Sequence, residues 1–168
     1  MIDDETLVQT DIILSIPSFL EACEQCNESI VKAYLDAGIS KEDLNSRDKT
    51  GKSGLSLVCS NGFMRILHLL CKHAEKFDVN LGDNEGNTPI IFAAQAGHSD
   101  IIHLLIQNFP EVDLDKPNYQ GFTALIKAAI QGRSKCSKIL LCAGYNLKAS
   151  TYVKVLRHPL QHAERNKG

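Results

Sequence analysis

Three local patterns in this chain have spacing that suits chemistry. Cys23-Glu24-Gln25-Cys26 sets two thiols at the spacing of a dithiol redox pair or of half a zinc site. Zinc would need two further ligands nearby, and a thioredoxin-type site needs a βαβ setting. Gly51-Lys52-Ser53 matches the end of a phosphate-cradling loop, which requires a glycine at position 46 and a strand before it; Ser46 stands there instead. His158 and His162 would form half a metal site on a helix, but Pro159 interrupts the helix that has to carry them. No Ser/His/Asp set or pair of carboxylates recurs in a way that a fold would gather. The residues therefore predict no enzyme, no metal site and no cofactor.

The elements that position these residues follow from the stretch Asn87 to His98, read as NTPIIFAAQAGH. Thr88 is suited to cap a helix with its hydroxyl, and Pro89 to the first helical position, where its missing N–H costs nothing. Ala93 and Ala94 are small enough for a second helix to pack almost on the backbone, and Gly97 suits the left-handed stop. A second helix is predicted from Ser99 to Asn108, with Ile101, Ile102, Leu104, Leu105 and Ile106 on its apolar side. Gly86, Thr88, Ala94 and Gly97 are answered 35 positions later by Gly121, Thr123, Ala129 and Gly132, and 35 earlier by Gly51, Ser53, Cys59 and Gly62.

A period near 33 with a T-P-L-H-like helix start is the ankyrin signature. The chain resembles the ankyrin repeat family over about residues 18–150. That resemblance implies an all-α solenoid of about four stacked helix pairs with β-hairpin-like turns. The repeats fall at about 18–45, 48–80, 83–113 and 118–149, after a disordered or loosely docked lead-in (1–17) and before a basic, irregular tail (151–168). The wording NTPIIFAAQAGH, with VDLD and GFTALIKAA, is further similar to the vertebrate photoreceptor-type ankyrin-repeat group, some of which are linked with transcriptional regulation. The chain departs from that group at about Thr151.

The repeat frame reassigns the chemical candidates. It puts Cys23 and Cys59 in the slot of Ala94 and Ala129, and Cys26 in the slot of Gly97, so the cysteines read as small hydrophobes in a packed core. Gly51 becomes the turn glycine and Ser53 a cap. His68 and His103 share a slot with Lys138, which suggests a solvated edge, and His98 occupies the family's Gly-His turn.

Composition bounds the rest. With 43% hydrophobic residues the 168-residue chain can build a core, and its net charge of −2 gives no global attraction to nucleic acid or anionic membrane. No apolar run approaches the roughly 18 residues of a membrane span. Asp3, Asp4 and Glu5 stand where a signal peptide needs basic residues, so the six cysteines are expected as reduced thiols and the location as cytoplasmic or nuclear. The Asn27-Glu28-Ser29 sequon is then silent.

Along the chain, the first repeat lacks a T-P-L-H start and reads as an N-terminal cap with Glu21, Glu24, Glu28 and Lys32 outward. Gly54, in place of proline, should weaken the second repeat's helix start. Extra residues around His73 to Phe77 should lengthen an outer helix or its exit, and Asp115-Lys116-Pro117 should make the third-to-fourth turn longer than its neighbours. Gly144 to Ala149 resembles the family's G-A-D-V-N-A without a clear cap after it. This predicts a truncated array that frays at, and self-associates through, the fourth repeat.

What remains is surface. In ankyrin arrays the turn residues and the end of each inner helix line a concave groove that binds other proteins. Carried over by position, this groove holds Lys49 and Lys52 of the second repeat, with Thr50, Ser60 and Asn61. The third contributes Asn84, Glu85, Asn87, Gln95 and Ala96, and the fourth Tyr119, Gln120, Phe122, Ile130 and Gln131. Tyr119 and Phe122 read either as an interface anchor or as packing on the neighbouring turn. The function implied is a non-catalytic adaptor for a protein partner, without direct contact to nucleic acid or membrane. The alternative is a transcriptional co-regulator acting through a DNA-binding partner.

Overall fold

The second, third and fourth repeats each begin with a turn that one side-chain oxygen holds together. Asp48 Oδ1 accepts the N–H of Thr50 at 2.8 Å and of Lys52 at 2.9 Å. Asp83 Oδ1 does the same for Glu85 at 2.9 Å and Asn87 at 2.8 Å. Asn118 Oδ1 repeats it for Gln120 at 3.1 Å and Phe122 at 2.9 Å. In each turn the backbone closes back on itself, as where Asp83 N–H donates to the Asn87 carbonyl. These are the expected hairpin-like turns, and Arg47 and Ser53 form an antiparallel bridge across the first of them.

The computed structural model describes residues 16–144. Among the described residues there are nine α-helices: α1 (Phe19–Glu24), α2 (Glu28–Asp36), α3 (Lys41–Leu44), α4 (Gly54–Asn61), α5 (Met64–Cys71), α6 (Pro89–Ala96), α7 (Ser99–Asn108), α8 (Ala124–Ile130) and α9 (Ser134–Ala143). Four antiparallel pairs stack in chain order, α1/α2, α4/α5, α6/α7 and α8/α9. Inner helix packs on inner helix (α1 on α4, α4 on α6, α6 on α8), and outer on outer. The expected lead-in falls mainly on residues 1–15, and the end of the fourth repeat and the basic tail on residues 145–168. Both stretches lie outside the described residues.

Helices of 6 to 10 residues are marginal alone, so burial between neighbours must hold the array. Ala93 and Ala94 are completely buried, as are Ile91, Ile102 and Leu105. Burying one such branched side chain contributes on the order of 1.5–3 kcal/mol. At the start of the array, Ser18 and Glu21 form a reciprocal capping box, and the Tyr34 hydroxyl donates to the Pro17 carbonyl at 3.0 Å. Phe19 meets Tyr34 edge-on, with centroids 6.2 Å apart, and Phe77 at 6.4 Å.

Several expectations are corrected. Thr88 occupies the N-cap position of α6, but its buried hydroxyl has no hydrogen-bond partner. The equivalent Ser53 accepts from Ser56 N–H at 3.2 Å and shares a bond with the Ser56 hydroxyl, where α6 offers the apolar Ile91. Gly54, at the start of α4, is also a point of close approach. A Cβ there would come within 3.0 Å of Phe19 Cε1 and 3.1 Å of Cys23 Sγ. As expected, the extra residues after α5 extend its exit, forming a 3-10 turn at Ala74–Lys76.

The third-to-fourth connection is not longer than its neighbour. Asn45 donates to the Lys76 carbonyl and accepts from Asp78 N–H, and Asn80 does the same with Glu111 and Asp113. Five positions then separate Asp78 from Asp83 and Asp113 from Asn118. This bridging asparagine sets the register, which apolar spacing alone had misplaced. The helix α3, capped by Ser40, was not expected at all.

Candidate functional site

The chemical candidates separate on inspection. Cys23 is fully buried and burial pushes its thiol up to about 12, the opposite of an activated thiolate. Cys26 is exposed at a backbone φ of 56°, the left-handed value that glycine takes in the corresponding slots. Cys26 is thus on the surface, which corrects its reading as core, and Cys142 is exposed too; Cys59 and Cys136 are buried as expected, and Cys71 half-buried. No group of three or more His, Cys, Asp or Glu side chains gathers among the described residues. Lys52 and Ser53 are committed elsewhere, Lys52 over the Phe92 ring and Ser53 to its cap. His68 and His103 are exposed, and His98 rests on Gly62 within 3.3 Å of the Ser60 carbonyl. His158 and His162 lie outside the described residues.

The residues carried over as a groove are brought together by a ladder that runs from turn to turn. Asn84 N–H donates to the Thr50 carbonyl at 3.0 Å, and its side-chain amide to the Lys49 carbonyl at 3.0 Å. One repeat on, Tyr119 N–H donates to the Glu85 carbonyl at 3.0 Å. A second thread runs beneath: Asn118 Nδ2 donates to Asn87 Oδ1 at 2.8 Å, and Asn87 Nδ2 reaches Asp83 and Glu85. The turns are therefore a continuous hydrogen-bonded edge rather than three separate loops.

This geometry sorts the site residues. Asn87 is only 6% exposed and serves that thread, so it supports the face and does not stand on it. Lys49, Asn84, Glu85, Gln95, Gln120 and Gln131 are exposed, and Lys52 and Phe122 half-buried. Tyr119 is 82% exposed although its ring edge lies on Gly86, where a Cβ would meet Tyr119 Cδ1 at 2.9 Å. Tyr119 thus rests on the neighbouring turn and is still open surface, while Phe122 lies under the Lys127 ammonium of its own repeat, 5.0 Å from the ring centroid.

Electrostatics favours the turns themselves. Burial raises the Asp48 carboxyl, but hydrogen bonds from the Thr50 hydroxyl and the Lys52 and Thr50 amides, with the Lys52 charge, outweigh it and hold the group below the usual carboxylate range. Its charge is spent inside the turn.

The sequence reading missed Phe92 and Lys127. They share one helix slot 35 apart, as Lys52, Asn87 and Phe122 share one turn slot. Lys52 of one repeat covers Phe92 of the next, at 4.9 Å, while in the fourth repeat the roles reverse and Lys127 covers Phe122. Comparing slots for exchanged lysine and phenylalanine would have found the pair.

Stacked helix pairs, the last three opened by a hairpin-like turn and bent at a glycine corner between inner and outer helix, define a helical repeat solenoid whose turns and inner helices share one face. A family model described as ankyrin repeats, in three copies, matches residues 19–117 and 76–151. The chain belongs to the ankyrin-repeat family, whose repeats are generally protein-protein interaction modules. No curated protein matches it. Among the described residues no helix is long and apolar enough to cross a membrane.

Proposed function

We propose that this protein is a non-catalytic adaptor that binds a protein partner through the groove formed by its turns and inner helices. The observation that carries the reading is Tyr119, a large aromatic 82% exposed on a turn that backbone and side-chain bonds hold rigid. Ile130, 43% exposed at the end of α8, adds a second apolar contact in the same repeat. Aromatic anchors on a preorganised frame lose little entropy on binding and dominate interface energies.

The test is affinity capture with the wild-type chain beside Tyr119→Ala, and beside a control, Lys138→Ala, on the exposed side of α9. A partner that wild type and control retain and Tyr119→Ala loses supports the reading. Equal retention by all three overturns it. Transcriptional co-regulation through a DNA-binding partner rests on the resemblance to the photoreceptor-type group, and reporter activation or repression by the wild-type chain alone would separate it from a general adaptor. Self-association involves the flank of the fourth repeat, which adjoins residues outside the described ones.

A further inference from the structure

The charge on this face is not that of the chain. The turns and inner helices of the last three repeats, residues 48–63, 83–98 and 118–133, carry Lys49, Lys52, Lys127 and Arg133 against three acids, Asp48, Asp83 and Glu85, all of them in the turns. The whole chain has a formal net charge of −2. The inner helices α4, α6 and α8 contain no Asp or Glu, while α1 to α3, α7 and the connections between repeats hold acids. Each of these acids is engaged: Glu85 Oε2 lies 3.3 Å from the Asn87 side-chain amide. The Asp48 and Asp83 carboxylates accept the amides of their own turns, and Asp83 is buried.

Three of the four cations are also held in place, and Lys49 is exposed. Lys52 and Lys127 each sit over a phenylalanine ring, at 4.9 and 5.0 Å, and Arg133 donates through Nε to the Gln95 carbonyl at 3.3 Å with its stem against Gly97. An ammonium resting on a ring keeps its remaining donors free, because the ring offers only its quadrupole and no hydrogen-bond acceptor oxygen. Tyr119 and Ile130 then interrupt the cations with apolar surface.

We infer that this face takes an acidic segment of a partner protein, one that carries Asp or Glu for Lys49, Lys52 and Lys127 and a large apolar side chain for Tyr119 and Ile130. The inference rests on the adaptor reading and deepens it. Nucleic acid is the other polyanion to weigh. Its affinity comes from many phosphate contacts, about six to ten for a typical duplex binder, and this face offers four cations, broken by apolar side chains and the carboxylates of the turns.

The experiment is display of a random dodecapeptide library on the full chain. Selected peptides are then measured by fluorescence anisotropy against wild type, Lys49→Glu/Lys52→Glu/Lys127→Glu, Lys127→Glu alone, and Lys32→Glu as a control on α2. Circular dichroism checks that each variant folds, and a salt series on the wild type needs no variant at all. Enriched peptides should be net negative with an aromatic or aliphatic residue. Binding should fall with added salt, weaken by about tenfold or more in the triple variant and less in Lys127→Glu, and stay unchanged in Lys32→Glu. Neutral or basic consensus peptides, salt-insensitive binding, or no enrichment overturn the inference. So does tighter binding of a 20-nucleotide single-stranded or duplex DNA probe than of the peptides. A partner captured by wild type, lost by Tyr119→Ala and kept by the triple variant would overturn the acidic segment and leave the adaptor reading standing.

Discussion

The junction between the second and third repeats and the far flank of the fourth are made from the same slots and meet different fates. At the junction, Gly51 lies against Asn84, with a Cβ only 2.6 Å from its backbone nitrogen, and Gly62 lies against His98. Their counterparts Gly121 and Gly132 have nothing within 4 Å of a Cβ among the described residues. Cys59 and Ala94 are completely buried, while Ala129 in the same slot is half-buried. Residue type barely changes from one to the other. What changes is whether, among the described residues, another repeat lies on top, so burial in this solenoid is a property of the neighbour as much as of the residue.

The largest expected contrast tests that directly. Ile102→Ala removes a side chain that is completely buried between outer helices, and should cost about 2–5 kcal/mol. Ile130→Ala removes an equally large side chain that is 43% exposed, and should stay within about 0.5 kcal/mol. Urea unfolding read by circular dichroism gives both numbers, and similar costs at the two sites would mean that the fourth repeat is covered as well as the third.

The next contrast isolates the inter-repeat contact. Gly51 and Gly121 have φ values of 82° and 81°, so an alanine carries the same left-handed penalty of about 1–2 kcal/mol at either. Only Gly51→Ala also drives a methyl into Asn84, where the ladder bond to Thr50 is made. Gly51→Ala should therefore destabilise more than Gly121→Ala, by about 1–3 kcal/mol. Equal losses would show that Asn84 yields at no cost and that the ladder is soft.

The smallest effect lies at the opposite end of the array. Cys26 holds φ 56° without being glycine, and it is exposed, so its side chain gains little from packing. Cys26→Gly should raise stability by up to about 1 kcal/mol, by the reverse of the same penalty. A loss would mean that the first repeat draws stability from the thiol, and that its edge is less like the open fourth flank than exposure indicates.

The period of 35, the helix pairs, their Gly-led corners and the all-α solenoid were legible in the sequence, because each depends on steric rules that act within a few residues. A left-handed corner, a small residue at a helix contact and an apolar stripe announce themselves locally. Even Cys26 was placed correctly in a glycine slot, although its exposure was not foreseen. The tertiary structure alone decided what each slot does once another repeat arrives. Asn87 reads as a polar groove residue until Asn118, 31 positions away, claims its carbonyl and buries it. The length of the third connection was set by Asn45 and Asn80 bonding forward by 31 and 33 positions, a register that apolar spacing does not encode. Lys52 finds Phe92 40 positions on, which turns a variable residue into a fixed cation on the candidate face. Hydrogen bonds and cation–π contacts between repeats depend on distances across a stack, and those distances exist only after inner helix has packed on inner helix.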